Sequence, residues 1–231
     1  MRRDGKGAKA PSSLPSWALP VGGAVVGAIV AVALYAALSG GGSASASDSG
    51  VKAAMVAAGC TYQDVLPKPP KDKTNYHADV PSLTSSTKGL WSTFPPSAGG
   101  HYGSWAIWGF YNEAVNPRNV VHNLEHGAVV IWWGPKVPVA TVQKLSLFYQ
   151  EQPVGVFGTP IAGLGNKIAL TAWTGDNKNG HVYYKNGYYG MGHIATCSTF
   201  NEHAFRVFRD AYRGKGPEGV PLSADAPGMG P

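Results

Sequence analysis

Charge is scarce in this chain of 231 residues: 14% of the residues are charged, and the formal net charge is +6. The basic residues are scattered along the sequence, and no cluster of them is interleaved with aromatic residues. This pattern excludes a nucleic-acid-binding surface and a polybasic patch for lipid headgroups from the expected functions. The sequence also shows no internal repeat, so the fold has to be predicted from single helices and strands.

Cysteine is equally scarce, with Cys60 and Cys197 as the only two. In an exported protein, two cysteines that flank nearly the whole domain are expected to form one disulfide bond, here between the N-terminal segment and the C-terminal helix. A copper site that uses the Cys197 thiolate is the alternative. The nearby Met191-Gly192-His193 offers further ligands that copper accepts.

A long apolar stretch without any charge occupies residues 17–38. About 20 such residues suffice to cross a bilayer, so we predict a transmembrane signal anchor. Basic residues precede it, and by the positive-inside rule residues 1–16 lie in the cytoplasm and the rest of the chain lies outside. A cleaved signal peptide, cut near 44–46, is the competing interpretation, but its apolar region would span only about 7 to 15 residues.

The rest of the chain divides into three parts. We predict a Gly/Ser linker at residues 39–50, an extracytoplasmic domain at 51–220 and a flexible tail at 221–231. Helical and strand patterns are interspersed in the domain, which predicts an α+β fold of mixed α/β layers, a single domain with one central β-sheet flanked by helices. Strands are predicted at 105–111, 128–133, 154–157 and 167–173, and helices at 51–58, 120–125, 138–150 and about 198–214.

Metal-ligating side chains are densest at His122-Asn123-Leu124-Glu125-His126. Histidines four residues apart share one side of a helical turn, so both imidazoles can bind one ion, with Glu125 as a further ligand or as a residue that orients one. His101 follows a proline- and glycine-rich turn and is expected to complete the site. His77 is expected to be an exposed loop histidine, although it could also complete this cluster of ligands. Ligation by several nitrogens favours zinc or copper.

Three functions are compatible with this cluster. The first is metal binding by a membrane-anchored domain. The second is an envelope module that binds a protein partner, in which the histidines hydrogen-bond buried backbone and Glu125 pairs with Arg118. The third is a zinc hydrolase, because H-x-x-E-H is the signature of inverted zinc peptidases. Gly127, however, is expected to end the helix directly after His126, whereas such a peptidase needs the helix to continue.

Several ordered motifs together resemble a known family: residues 95–102, 109–111, 121–127 and the closing Gly-Pro-Glu-Gly at 216–219. The family is the uncharacterised, mostly bacterial domain of unknown function 3105, and the resemblance extends from about Cys60 to Val220. It implies a domain that is tethered by one N-terminal helix, and it implies no particular reaction. Four candidate ligands match the family's pattern, namely His101, His122, Glu125 and His126.

Overall fold

The computed structural model describes residues 47–68, 76–79, 89–175, 184–185 and 188–231. This part of the chain is an α+β domain with one five-stranded mixed sheet and four α-helices, which confirms the predicted fold class. The apolar stretch 17–38 lies outside the described residues. None of the described helices is both long and apolar enough to cross a membrane.

The secondary structure combines short strands with helices of three to four turns. The helices are α1 (Asp48–Ala57), α2 (Pro117–His126), α3 (Val139–Glu151) and α4 (Glu202–Tyr212). The strands are β1 (Thr61–Val65), β2 (Val129–Trp133), β3 (Val156–Pro160), β4 (Ile168–Thr174), β5 (Tyr184–Lys185), β6 (Tyr188–Tyr189) and β7 (Met191–Cys197). Strands β5 and β6 pair with each other as a separate two-stranded antiparallel sheet, and 3-10 turns cover Tyr76–Asp79 and Leu222–Asp225.

The central sheet has the strand order β1-β7-β4-β2-β3, and β2 and β3 run parallel while the other pairs are antiparallel. Along β2, Val129, Ile131 and Trp133 face the core that α1, α3 and α4 cover. Val130 and Trp132 face the opposite core, which α2 covers. This alternation follows from the two-residue period of a strand. The apolar stretch that predicts a central strand is therefore buried on both faces.

Two parts of the strand prediction are wrong. Residues 105–111 form no strand, and Phe110 makes only an isolated bridge to Gly158. A side chain at Gly158 would overlap the Phe110 ring, so the contact depends on glycine. The prediction also lacks strands β1 and β7. Strand β7 was missed because its first residues, Met191-Gly192-His193, have the composition of a loop.

A disulfide bond joins Cys60 and Cys197, as predicted. Its place in the fold differs, because Cys60 directly precedes β1 and Cys197 ends β7. The bond therefore links the ends of two neighbouring strands, not an N-terminal segment and helix α4. With Cys197 in the disulfide, no thiolate remains at this position, and the alternative of a copper thiolate site is wrong.

Residues 221–231 were expected to form a flexible tail, yet they pack against the domain. Asp225 lies in the second 3-10 turn and is fully buried. Farther along, Trp108 N donates a hydrogen bond to Met229 O, and Gly228 N donates one to Trp108 O, both at 2.9 Å. The proline and glycine content of this segment thus indicates irregular backbone and not a lack of packing.

Candidate metal centre

Helix α2 carries most of the candidate ligands, and the local sequence fixes both of its ends. At the N-terminus the Asn116 side chain accepts a hydrogen bond from Arg118 N at 3.0 Å, and Pro117 lies where no amide donor is needed. At the C-terminus Gly127 has a φ of 114°, a value that favours glycine. The helix therefore ends at His126, as predicted, and the H-x-x-E-H motif lies in its last turns.

Four side chains converge on one point beside α2: His77, His101, His122 and Glu125, here called the inner group. One ligand atom from each lies within 4.8 Å of the others. His101 is fully buried, His122 and Glu125 are 3% and 6% exposed, and His77 is half-buried. Three imidazoles and one carboxylate form a donor set that suits zinc or copper.

Two of these imidazoles are oriented by the backbone. The Nδ1 atoms of His101 and His122 hydrogen-bond to carbonyl oxygens, of Gly99 at 2.7 Å and of Tyr102 at 2.8 Å. A carbonyl oxygen only accepts, so each Nδ1 carries a proton, and Nε2 is the nitrogen that remains to bind a metal ion. Hydrogen bonds of this kind fix the tautomer and the ring orientation of histidines that bind metals.

The distances around Glu125 are close to those that a metal ion requires. Its Oε2 lies 2.9 Å from His101 Nε2 and 3.5 Å from His77 Nε2. Bonds of about 2.1 Å in tetrahedral geometry separate a nitrogen ligand from an oxygen ligand by about 3.4 Å. The His77 contact already has this spacing, and the His101 contact needs to open by about half an ångström.

The charges in the inner group also suit a cation. Burial and the neighbouring His101 lower the pKa of His122 to about 4, so this imidazole is neutral near neutral pH. Burial opposes the ionisation of Glu125, but hydrogen bonds from His101 and His77 outweigh it and lower the pKa of Glu125 to about 2. Neutral imidazole and ionised carboxylate are the forms that bind metal ions.

A side-chain amide holds the irregular segment before α2 against the helix. Ala106 N donates to Asn123 Oδ1, and Asn123 Nδ2 donates to Ala106 O, both at 2.9 Å. This pairing sets the ring of Trp105 beside the helix, with its centroid 5.4 Å from that of His122 and 4.8 Å from that of His126. The indole thus covers both histidines of the motif.

Tyr76 brings His77 to the site. Its ring is buried, packs edge-on against Trp173 with centroids 5.2 Å apart, and anchors the short 3-10 turn to the sheet. Its carbonyl oxygen accepts a hydrogen bond from His101 N at 3.3 Å. The next residue, His77, then lies with its ring centroid 4.7 Å from that of His101.

A second set of ligands adjoins the first and consists of His122, His126 and Glu218, here called the outer group. Glu218 Oε2 lies 3.1 Å from His126 Nε2 and 4.0 Å from His122 Nε2. The Glu218 side chain is 42% exposed, whereas those of the two histidines are 4% and 7% exposed. The outer group therefore reaches solvent through Glu218 and shares His122 with the inner group.

Asp225 lies on the opposite edge of the His126 ring. Its carboxyl group is fully buried, and Oδ1 is 3.7 Å from His126 Nδ1. Burial alone lowers the pKa of His126, but the Asp225 and Glu218 carboxylates outweigh it and raise the pKa to about 9. Without a bound metal ion, His126 is therefore a cation between two carboxyl groups at neutral pH.

The structure brings together three of the four predicted ligands, His101, His122 and Glu125, and it adds His77 to them. His126 belongs to the outer group instead. The prediction did not include Glu218 or Asp225, because both lie far from α2 in the sequence. The Gly-Pro-Glu-Gly motif at 216–219 was the signal that could have identified Glu218.

His193 does not belong to either group. Its Nδ1 lies 2.7 Å from Asp64 Oδ1, and its Nε2 lies 2.8 Å from Thr174 Oγ1. The ring stacks on Tyr212 with centroids 4.0 Å apart, and burial lowers its pKa. His193 thus connects β1, β4, β7 and α4, and it offers no nitrogen to a copper site beside Met191.

Fold and site together define an α+β domain in which buried His/Glu clusters beside one helix can hold a metal ion. The chain belongs to the family described as Protein of unknown function (DUF3105), whose model matches residues 84–224. This confirms the predicted family, and the match includes every member of the inner and outer groups except His77. Neither the curated proteins nor the solved structures contain a significant match to this chain.

Proposed function

We propose that this domain binds one divalent transition-metal ion, zinc or copper, in the inner group. The observation that carries the proposal is the pair of hydrogen bonds that His101 Nδ1 and His122 Nδ1 donate to carbonyl oxygens, which leaves the Nε2 atoms of both rings as ligands beside Glu125. The ring centroids of the three inner histidines are 4.7 to 5.0 Å apart. Several protonated rings at this spacing repel one another, whereas one shared cation bound by neutral rings avoids that repulsion.

The number of ligands favours binding over catalysis. Structural zinc sites use four protein ligands, whereas catalytic zinc sites use three and keep a position for water. The inner group offers three imidazoles and the Glu125 carboxylate, which is the number of protein ligands that a structural zinc site uses. The end of α2 at His126 also separates this site from the continuous helix of an inverted zinc peptidase.

We further propose that the domain lies outside the cytoplasm, tethered to the membrane by residues 17–38. Two features support this location. The apolar stretch is long enough to span a bilayer and has basic residues on its N-terminal side. The disulfide between Cys60 and Cys197 is a bond that persists in oxidising compartments.

Metal content tests the proposal. The full-length chain is purified in detergent, incubated with zinc or copper, freed of excess metal by gel filtration and measured by elemental analysis. We expect one ion per chain in the wild type and a loss of most of it in His101→Ala and His122→Ala, because each variant removes one ligand of four. Ligand or orienting residues typically change metal affinity by about 10- to 100-fold or more.

His203→Ala is the matched control, because His203 is exposed on α4 and belongs to neither group. His193→Gln controls for the loss of a buried histidine. Equal metal content in the wild type, both controls and both ligand variants would contradict the proposal.

A second candidate is an envelope module that binds a protein partner, in which the histidines are structural. The contacts of 2.9 Å between His101 and Glu125 and of 3.1 Å between His126 and Glu218 favour it, because a histidine and a carboxylate can make such contacts without a metal ion. Glu125 then pairs with His101 and His77, and not with Arg118 as first expected. In this case His122→Ala lowers the melting temperature equally with and without a chelator. A difference that depends on metal favours the first proposal.

A further inference from the structure

The inner and outer groups cannot both use His122 at once. His122 Nδ1 donates a hydrogen bond to the Tyr102 carbonyl oxygen at 2.8 Å, so Nε2 is the only atom of His122 that can bind a metal ion. That atom lies 4.0 Å from Glu218 Oε2 in the outer group, and the same ring is a member of the inner group. One nitrogen lone pair binds one ion. The two groups are therefore alternative positions for a single ion, with His122 common to both.

The two positions differ in access to solvent. Glu218, with 42% of its side chain exposed, gives the outer group a carboxylate at the surface. In the inner group His101 is fully buried, and the Nε2 atom of the half-buried His77 is itself buried. A hydrated cation thus reaches the Glu218 carboxylate before it reaches the buried Nε2 atoms of His101 and His77.

The two positions also differ in the number of ligands. The outer group offers three ligand atoms and the inner group four. An ion that leaves the outer group exchanges Glu218 and His126 for buried ligands and loses its remaining water. Because each group fits within 4.8 Å and the two share a ring, this exchange needs only a short movement of the ion.

We propose that the outer group captures the metal ion from solvent and passes it to the inner group, with His122 bound to the ion throughout. This inference rests on the proposed function, since it assigns an entry route to the same metal site. Glu218 is the entry ligand, His126 is the second ligand of the captured ion, and His77, His101 and Glu125 hold the ion in its final position.

Trp105 gives a signal for the capture step. Its ring centroid lies 4.8 Å from that of His126 and 5.4 Å from that of His122, so Cu²⁺ in the outer group lies close enough to quench its fluorescence. Trp105→Phe, compared with the wild type, identifies the part of the fluorescence change that comes from this indole.

The experiment measures loading rate and final affinity separately. The full-length metal-free chain in detergent is mixed with Cu²⁺ in a stopped-flow instrument, and equilibrium affinity is measured by competition with a chelator. In the wild type we expect a fast phase that depends on Cu²⁺ concentration, followed by a slower phase that does not. We expect one ion per chain at saturation.

Glu218→Gln should slow the fast phase by about tenfold or more, because it removes the charged entry ligand, and should leave the equilibrium affinity nearly unchanged. Glu218→Asp keeps the charge and should retain most of the rate. Glu113→Gln is the matched control, because Glu113 is an exposed glutamate outside both groups. His77→Ala should keep the fast phase and lose the slow phase, because the ion then stays in the outer group.

The failure of this inference differs from the failure of the proposed function. If the wild type binds no Cu²⁺ or Zn²⁺, the proposed function fails and the inference fails with it. If the wild type binds metal but Glu218→Gln loads at the wild-type rate, only the entry route is overturned. The entry route would also be overturned if two ions bound per chain. The same holds if His77→Ala lost the fast phase while Glu218→Gln kept it.

Discussion

At the scale of single residues, His126 is the histidine of the site whose pKa is raised by two neighbouring carboxyl groups. It lies between the Glu218 and Asp225 carboxyl groups, and its pKa is raised to about 9 in the folded protein. An unfolded histidine titrates near pH 6.5, so between these values the folded state holds a proton that the unfolded state has released. The resulting stabilisation is complete below about pH 6.5 and is lost as the pH rises through about 9.

This shift predicts a pH dependence of stability in the metal-free protein. From pH 6.5 to 9.5 the free energy of unfolding should fall by up to about 3 kcal/mol in the wild type and by clearly less in His126→Gln. Urea unfolding in the presence of a chelator measures this free energy at each pH. His122, whose pKa is lowered to about 4, affects stability in a lower pH range and with the opposite sign, because its contribution makes the free energy of unfolding rise with pH between about 4 and 6.5. Equal slopes above pH 7 in both proteins would contradict the assignment.

At the scale of elements, the outer group depends on how residues 214–218 dock on the end of α2. Gly214 N donates to Gly127 O at 2.8 Å, and Glu218 N donates to Glu125 O at 3.3 Å. Gly216 lies between these bonds, where a Cβ atom would overlap the Glu125 carbonyl and the Gly127 amide. Only glycine allows this approach of two backbones, and the approach is what brings Glu218 to His126.

Gly216→Ala should therefore separate the segment from α2 and weaken the outer group at the same time. We expect a loss of roughly 1 to 3 kcal/mol in the free energy of unfolding, as for other overpacked sites, measured by denaturant titration. Gly103→Ala is the control, because its Cβ would meet only ordinary contacts at 4.0 Å or more and the residue is exposed. A Gly216→Ala variant as stable as Gly103→Ala would show that the two backbones are not in close contact.

The elements that the sequence predicts best are those with a local signal. Residues 128–133 are continuously apolar and contain β2, and Gly127 sets the end of α2, whereas the helix begins at Pro117, three residues before the predicted start at 120. Strand β7 lacks such a signal, because Gly192 lies in it and its pairing partners on β1 lie more than a hundred residues away. A strand that depends on distant partners cannot be recognised from its own residues.

The same distinction explains the site. The histidines of α2 are four residues apart, and that spacing alone places them on one side of a helix. His101 was predicted from its turn, but His77 depends on the packing of Tyr76 against Trp173. Glu218 and Asp225 reach the site only after the chain has crossed the sheet and formed α4. Local spacing therefore predicts the centre of the site, and the tertiary fold decides which residues surround it.

At the scale of the whole molecule, the disulfide joins the ends of β1 and β7, whose half-cystines are 137 residues apart in the sequence. Strand β1 is an edge strand and pairs only with β7 in the described sheet. Closing so long a loop stabilises the folded state by roughly 5 kcal/mol in the chain-entropy model. The bond therefore holds the N-terminal edge of the domain, together with α1, against the rest of the sheet.

The redox state of this pair tests the proposed location. In cells that express the full-length chain, we expect Cys60 and Cys197 to be oxidised, because in the proposed location residues 17–38 carry the domain into an oxidising compartment. Deletion of 17–38 should keep the domain in the reducing cytoplasm and leave both thiols free.

Thiols are blocked with an alkylating agent in intact cells before lysis, and the blocked fraction is measured by mass spectrometry. Cys60→Ser, which cannot form the bond, defines the signal of a free Cys197. Oxidation of the pair to the same extent with and without residues 17–38 would contradict an exported domain, because the stretch would then have no influence on the compartment in which the chain folds.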